Sequence, residues 1–111
     1  MTTFDLQTIN ATLVIRPEGR LDLVAAPELR ELVAKSVADG IVKIVVDLHD
    51  VDFLDSSGLG ALVTGLKTTR QAGGNLRIAR ATEQTLIVLD LTMMQQVLFP
   101  YPSVDEAIGS P

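Results

Sequence analysis

The fold is decided by two consecutive stretches, Ile41-Val-Lys-Ile-Val-Val-Asp-Leu48 and Val51-Asp-Phe-Leu-Asp-Ser-Ser-Gly-Leu-Gly60. The first stretch is almost continuously apolar, which is typical of a central strand covered on both faces. In the second stretch a helical pattern begins at Ser56, and residues 49–55 are expected to form a loop that carries three acids. A buried strand that leads into a helix, repeated along the chain, predicts an α/β fold with a largely parallel sheet.

Two further strands are predicted ahead of this centre. Phe4–Ile9 alternates apolar and polar residues, and Thr12–Arg16 is rich in β-branched residues. The turn residues Asn10-Ala11 between them predict a hairpin. The second strand is expected to end at Pro17, with a short polar turn over Gly19–Asp22 after it.

Two amphipathic helices flank the central strand. The first is expected to start at Pro27, because a helix tolerates proline in its first turn, and to end at Asp39-Gly40. The second is expected to run from Ser56 to Gly73-Gly74. Its residues form an apolar stripe and a stripe of small residues, namely Leu59, Leu62, Val63 and Leu66, and Gly58, Ala61 and Gly65.

The remaining residues predict four shorter elements. These are a strand at Leu76–Ala79, a helix at Thr85–Leu91, an edge strand at Val97–Phe99 ended by Pro100, and a last helix that begins in the capping box Ser103-Val-Asp-Glu106. The expected result is one domain over residues 1–111, with a mixed, mostly parallel sheet of about five strands and about four helices.

Composition excludes several classes of function. The chain has 111 residues, of which 47% are apolar and 4% aromatic, and it contains no cysteine, so disulfides and thiol chemistry are excluded. The net charge is −5. An acidic surface repels phosphate backbones and anionic lipid, so neither nucleic acid nor a membrane is an expected partner. No cofactor or metal is expected. The expected location is the cytoplasm.

Asp55, Ser56 and Ser57 fall at the N-terminus of the second predicted helix, where free N–H groups and the helix dipole favour an anion. A phosphate on a serine hydroxyl could be held there. Aspartate and serine are also the commonest helix caps, so a purely structural role explains the same residues. The local sequence leaves both interpretations open.

A resemblance to a known family bears on this choice. Asp55-Ser-Ser-Gly-Leu-Gly60, preceded by Ile44-Val-Val-Asp-Leu48 and Val51-Asp-Phe-Leu54, resembles the signature of STAS-domain anti-sigma-factor antagonists. Gly19-Arg-Leu-Asp22 resembles the second motif of that family, and Phe99–Ile108 resembles its last strand and helix. The resemblance covers nearly the whole chain, with the motifs in the right order.

The resemblance implies a phosphorylation-controlled binding protein that is not an enzyme. Ser56 matches the serine that an anti-sigma factor, itself an ATP-binding serine kinase, phosphorylates. The unphosphorylated antagonist binds this kinase and frees the sigma factor, as in stress responses, and a metal-dependent PP2C-type phosphatase resets the switch. A monomer is expected. The residues implied in partner binding are Asp22, Asp55, Ser57, Gly58 and Leu59.

One segment departs from the family pattern. A Leu-Thr-Gly-Leu-like turn often follows the third helix of the family, and here the sequence reads Leu91-Thr-Met-Met94. The missing glycine makes the end of that helix uncertain. Met93 and Met94 are adaptable side chains that could form an exposed contact.

Other functions have weaker support. Gly58-Leu-Gly60 lacks the third glycine of a dinucleotide fingerprint, because Val63 stands there. Asp47 could be the phospho-acceptor of a receiver domain, but the acidic pair and the lysine that receivers need are missing.

Three further hypotheses concern single features. A serine hydrolase would use His49 without the usual Gly-x-Ser-x-Gly elbow. Asp50, Asp52 and Asp55 could bind a divalent cation but are better explained as a solvated loop. A non-switching STAS scaffold or ligand-sensing module remains the second class of function. A partner-switching protein that controls an effector other than a sigma factor is a further alternative.

Overall fold

Six strands and four helices follow one another along the chain, with one additional 3₁₀ turn at Met94–Gln96. The computed structural model describes residues 1–111. In chain order the elements are β1 (Thr3–Ile9), β2 (Thr12–Leu21), α1 (Ala26–Ala38), β3 (Lys43–Asp47), β4 (Val51–Leu54), α2 (Ser56–Gln71), β5 (Asn75–Ala79), α3 (Glu83–Leu91), β6 (Pro100–Tyr101) and α4 (Val104–Gly109). No helix is long and apolar enough to cross a bilayer.

The strands form one mixed sheet in the order β1-β2-β3-β5-β6, with β4 paired to β2. Only the β1–β2 pair is antiparallel, and all other pairs are parallel. The hairpin turn at Asn10 and Ala11 has positive φ at both residues, 49° and 64°, which matches the twist of the strands it joins. The predicted α/β class with a mostly parallel sheet is confirmed, with one strand more than expected.

The prediction that β2 ends at Pro17 is wrong, because the strand continues to Leu21. β2 pairs with β3 as far as Ile15 and with β4 from Gly19 onward. The N–H of Gly19 donates to the Asp50 carbonyl on that side, so the nitrogen of Pro17, two residues earlier, faces the gap between the two ladders. The missing N–H of proline therefore costs no ladder hydrogen bond.

The predicted loop over residues 49–55 is also wrong in part. Val51–Leu54 forms β4, which continues the line of β3 alongside the second half of β2. Its end residues Val51 and Leu54 are 0% and 1% exposed, so burial of two apolar side chains stabilises the strand while Asp52 between them stays in solvent. A strand of four residues that pairs on one side only is too short to leave a clear period in the sequence.

The two faces of the sheet are covered unequally. On one face α1, α2 and α3 enclose the main core, a cluster of 20 buried apolar residues. On the other face α4 alone packs, through Ala107, on Val14, Val45 and Ala79. β3 is buried on both faces, as its apolar run predicts. The small-residue stripe of α2 faces inward, and a Cβ on Gly65 would lie 2.8 Å from a Leu76 methyl carbon.

The C-terminal region corrects one prediction and confirms another. The edge strand lies at Pro100–Tyr101, and not at residues 97–99. α3 ends at Leu91, and Met93 adopts the left-handed conformation (φ 58°) without a glycine. The Ser103 hydroxyl accepts a hydrogen bond from the Glu106 N–H at 3.0 Å, so the predicted start of the last helix is confirmed, with Ser103 as its cap.

Candidate functional site

The candidate site lies where β2 and β4 end side by side. These strands are parallel, and Leu21 of β2 is the register partner of Leu54 of β4. The next residue of each strand is an aspartate, Asp22 on one and Asp55 on the other. Because neighbouring strands lie about 4.8 Å apart, the fold brings together two carboxylates that are 33 positions apart in the sequence.

Asp55 caps α2. Its backbone is extended (φ −109°, ψ −172°), and its Oδ1 accepts a hydrogen bond from the Gly58 N–H at 2.9 Å. This bond satisfies one of the free N–H groups of the first helical turn. Ser56 and Ser57 are the first two residues of the helix, and Ser56 is exposed while Ser57 is partly buried. The predicted start of the helix and the position of the serines on it are confirmed.

Asp22 organises the turn that leads into α1. Its Oδ1 accepts hydrogen bonds from the N–H groups of Val24 (3.1 Å) and Ala25 (3.2 Å), and its carbonyl accepts one from the Ala26 N–H. The bond from Ala25 is the largest influence on the pKa of the Asp22 carboxyl, and together with Val24 and Arg20 it holds that pKa below its ordinary value. Asp22 is therefore a fixed negative charge at neutral pH.

Arg20, Leu23 and Val24 belong to this surface but were not predicted as site residues. The guanidinium of Arg20 lies 3.5 Å from the Asp22 carboxylate and 4.2 Å from the centre of the Phe53 ring. Leu23 and Val24 are 72% and 86% exposed, although both are large and apolar. Their signal was weak but present, since two apolar residues directly follow the Gly19–Asp22 motif outside any helical or strand pattern.

Gly58 and Leu59, predicted as partner-binding residues, are both buried. A Cβ on Gly58 would lie 2.1 Å from the Leu21 carbonyl oxygen, and Leu59 belongs to the main core at 7% exposure. Neither offers a side chain to a partner. Their packing holds the start of α2 against the end of β2.

Gln84 of α3 also fixes the site, and no pattern in the sequence indicated this role. Its side-chain amide accepts a hydrogen bond from the Leu54 N–H and donates one to the Leu54 carbonyl, both at 2.9 Å. Leu54 is the residue directly before the cap Asp55. The pair of bonds joins α3 to the segment that presents Ser56.

The structure also bears on the other hypotheses. Asp47 is 0% exposed and is held by Arg80 and Arg16, so it is closed to a phosphate donor. His49 binds the adjacent Asp50 through Nδ1 at 2.8 Å on the surface. No group of three acidic or histidine side chains in residues 1–111 is placed to hold a metal ion.

Comparison with known proteins agrees with this architecture. The family model for the STAS domain matches residues 3–107. The anti-sigma-B factor antagonist of Bacillus subtilis is 30% identical over 80 residues, which are 72% of each chain. An anti-sigma-B factor antagonist from Staphylococcus epidermidis is 31% identical over 84 residues, covering 76% of this chain and 78% of the relative.

Solved structures extend the likeness to nearly the whole chain. An anti-sigma factor antagonist from Mycobacterium paratuberculosis superimposes with a TM-score of 0.85 at 27% identity, covering 97% of this chain and 92% of that one. The Bacillus cell fate determinant SpoIIAA in its phosphorylated form shares the fold, with a TM-score of 0.74 at 22% identity over 96% of both chains. The fold and the site thus define a STAS domain. The chain belongs to the STAS-domain family of anti-sigma-factor antagonists.

Proposed function

We propose that this protein is a phosphorylation-controlled anti-sigma-factor antagonist that binds an anti-sigma factor serine kinase while Ser56 is unmodified. The exposed position of Ser56 on the first turn of α2 carries the proposal, because an acceptor hydroxyl must reach the active site of another protein. Relatives named anti-sigma-B factor antagonist support the class of partner. Control of a sigma factor places the protein in the cytoplasm, where RNA polymerase works.

The transfer step needs only an accessible serine on this chain. Ser56 Oγ attacks the γ-phosphorus of an ATP held by the kinase, and the Oγ–P bond forms as the bond to the ADP oxygen breaks. The hydroxyl proton passes to a base of the kinase. A PP2C-type phosphatase later hydrolyses the phosphoserine, and water supplies the oxygen that leaves with the phosphate. The antagonist is the substrate of both reactions and catalyses neither.

The surface around Ser56 is suited to a protein partner. Leu23 and Val24 supply exposed apolar area, and Asp22 beside them supplies a fixed negative charge. Apolar contacts surrounded by polar groups are the usual composition of a protein interface. A phosphate of about −2 charge on Ser56 would lie beside Asp55 and Asp22. The added charge would repel a partner that binds the unmodified edge.

The phosphorylation test compares two neighbouring serines. Purified protein is incubated with the cognate kinase and ATP, and the modified residue is located by fragment mass spectrometry. We expect one phosphate on wild type and on Ser57→Ala, and none on Ser56→Ala. Both serines lie in the same helical turn, so the Ser57 variant controls for general damage to that turn. Modification of the Ser56→Ala variant would refute the proposal.

The binding test uses the same position. Ser56→Ala keeps the unmodified surface and should bind the kinase like wild type, whereas Ser56→Asp adds a charge beside Asp55 and should bind more weakly. Asp22→Ala should weaken binding or slow phosphorylation. Calorimetry with the kinase measures the affinities. Equal affinity of wild type and the Ser56→Asp variant would contradict a switch and favour a scaffold role.

A further inference from the structure

Arg20 is the only basic residue at the edge that presents Ser56. Residues 19–25 and 51–59, which form this edge, contain three aspartates, Asp22, Asp52 and Asp55, and no lysine or other arginine. We propose that Arg20 is the counter-cation of phosphorylated Ser56, drawn from Asp22 and the Phe53 ring onto the phosphate when the serine is modified. The inference rests on the phosphorylation of Ser56 proposed above.

The register of the strands puts Arg20 within reach. Leu21 pairs with Leu54, so residue 22 lies level with residue 55, next to Ser56. The Arg20 guanidinium already extends to this level, because its Nε lies 3.5 Å from the Asp22 carboxylate. The proposed contact requires the long Arg20 side chain to rotate from Asp22 toward Ser56.

The present contacts of Arg20 are weak enough to exchange. Its side chain is 59% exposed, and its distance to Asp22 is longer than that of a good charge-assisted hydrogen bond. Its other contact is the face of the Phe53 ring, a weak attraction at an exposed site. A phosphate offers three acceptor oxygens and about twice the charge of a carboxylate, so it competes well for a guanidinium.

The exchange would change more of the surface than the phosphate does alone. Once Arg20 turns to the phosphate, the Phe53 ring loses its cover and Asp22 loses its ion pair. A partner would then meet a different arrangement at Arg20, Asp22 and Phe53 as well as a new charge at Ser56. The edge becomes more acidic and carries an exposed ring beside the new charge.

The test measures the ionisation of the phosphate itself and needs no kinase. Phosphoserine is installed at position 56 during translation, and the second ionisation of the phosphate is followed by ³¹P NMR. A guanidinium in contact with the phosphate, about 4 Å from its charge, favours the dianion, so Arg20→Gln should lower the second acid dissociation constant about fivefold. Lys67→Gln removes one positive charge from an exposed site about 16 Å further along the same helix and should leave the constant unchanged.

A second measurement detects the movement itself. The Nε–H signal of Arg20 and the ring signals of Phe53 should both shift between the serine and phosphoserine forms, and the Phe53 shift should vanish in Arg20→Gln. Equal dissociation constants for wild type and Arg20→Gln, or an unchanged Arg20 signal, would overturn the inference. Because phosphoserine is installed during translation and not by the kinase, that result is separate from a failure of the kinase to modify Ser56.

Discussion

Two aspartates at the carboxyl ends of β3 and β4, which pair with successive halves of β2, have opposite surroundings. Asp47 ends β3 and is completely buried, and Arg80 binds it at 2.6 and 3.0 Å and Arg16 at 2.8 Å. Asp55 follows β4 at the surface and holds only a backbone N–H of α2. The same residue type after a strand ties the sheet together in one place and caps a helix in the other.

The difference comes from the partners of each carboxylate, two arginine side chains for Asp47 and one backbone N–H for Asp55. Asp47 lies between Arg16 of β2 and Arg80, the residue after β5. Two positive charges therefore surround its one negative charge. Burial alone would raise the pKa of Asp47, but the hydrogen bonds from Arg80 and Arg16 outweigh burial and hold that pKa below its ordinary value. Asp47 in turn raises the pKa of Arg80. We expect changes at this cluster to affect stability and changes around Ser56 to affect binding.

The largest effect should follow from breaking the buried cluster. Asp47→Asn leaves two arginines without their shared carboxylate, so we expect the free energy of unfolding to fall by about 3 kcal/mol. Asp39→Asn is the matched control, because its ion pair with Lys35 is exposed at 3.2 Å and should contribute less than about 0.5 kcal/mol. Urea unfolding measures both. Similar losses of unfolding free energy in the two variants would contradict the expected difference between buried and exposed carboxylates.

Acid should remove the same contribution in the wild-type protein. The folded-state pKa of Asp47 is depressed, so its stabilisation is complete at neutral pH and is lost as pH falls below the ordinary carboxyl value of 3.8 toward the lower folded-state value. Urea midpoints measured from about pH 7 to about pH 2.5 should fall less steeply for Asp47→Asn than for wild type. Parallel curves would show that other carboxylates dominate the acid transition.

The close packing of α2 against β2 can be tested with a pair of glycines in α2. Gly58→Ala places a Cβ against the Leu21 carbonyl and should cost about 2 kcal/mol, with a shift of the helix start. Gly60→Ala meets nothing within 4 Å and should stabilise the helix by about 0.5 to 1 kcal/mol. Thermal unfolding separates them. A harmless Gly58→Ala would mean that α2 can slide away from β2 freely.

The smallest effects are expected at the exposed end of α2. Asp55→Ala removes the cap and should cost about 1 kcal/mol, whereas Ser56→Ala should stay within about 0.5 kcal/mol. Chemical denaturation resolves the two. A loss of stability at Ser56 as large as that at Asp55 would give the serine a structural role and weaken its assignment as a free acceptor.

The sequence predicted what depends on local pattern. The long apolar run of β3, the proline at the start of α1 and the Asp-Ser-Ser start of α2 each carry a local signal, and each lies where it was predicted. Contacts between distant residues carry no such signal. The pairing of β4 with β2, the position of Arg20 over Phe53 and the bonds of Gln84 to Leu54 arise only when the chain folds. The sequence likewise does not show that two distant arginines, Arg16 and Arg80, enclose Asp47.

The two hydrogen bonds from Gln84 to Leu54 have a further consequence. β4 pairs with one strand only, and an open edge of this kind can recruit an extended segment of another molecule. The glutamine amide occupies both backbone groups that such a segment would use at Leu54. A side chain from α3 thereby protects this edge from intermolecular strand addition, next to the proposed phosphorylation site Ser56.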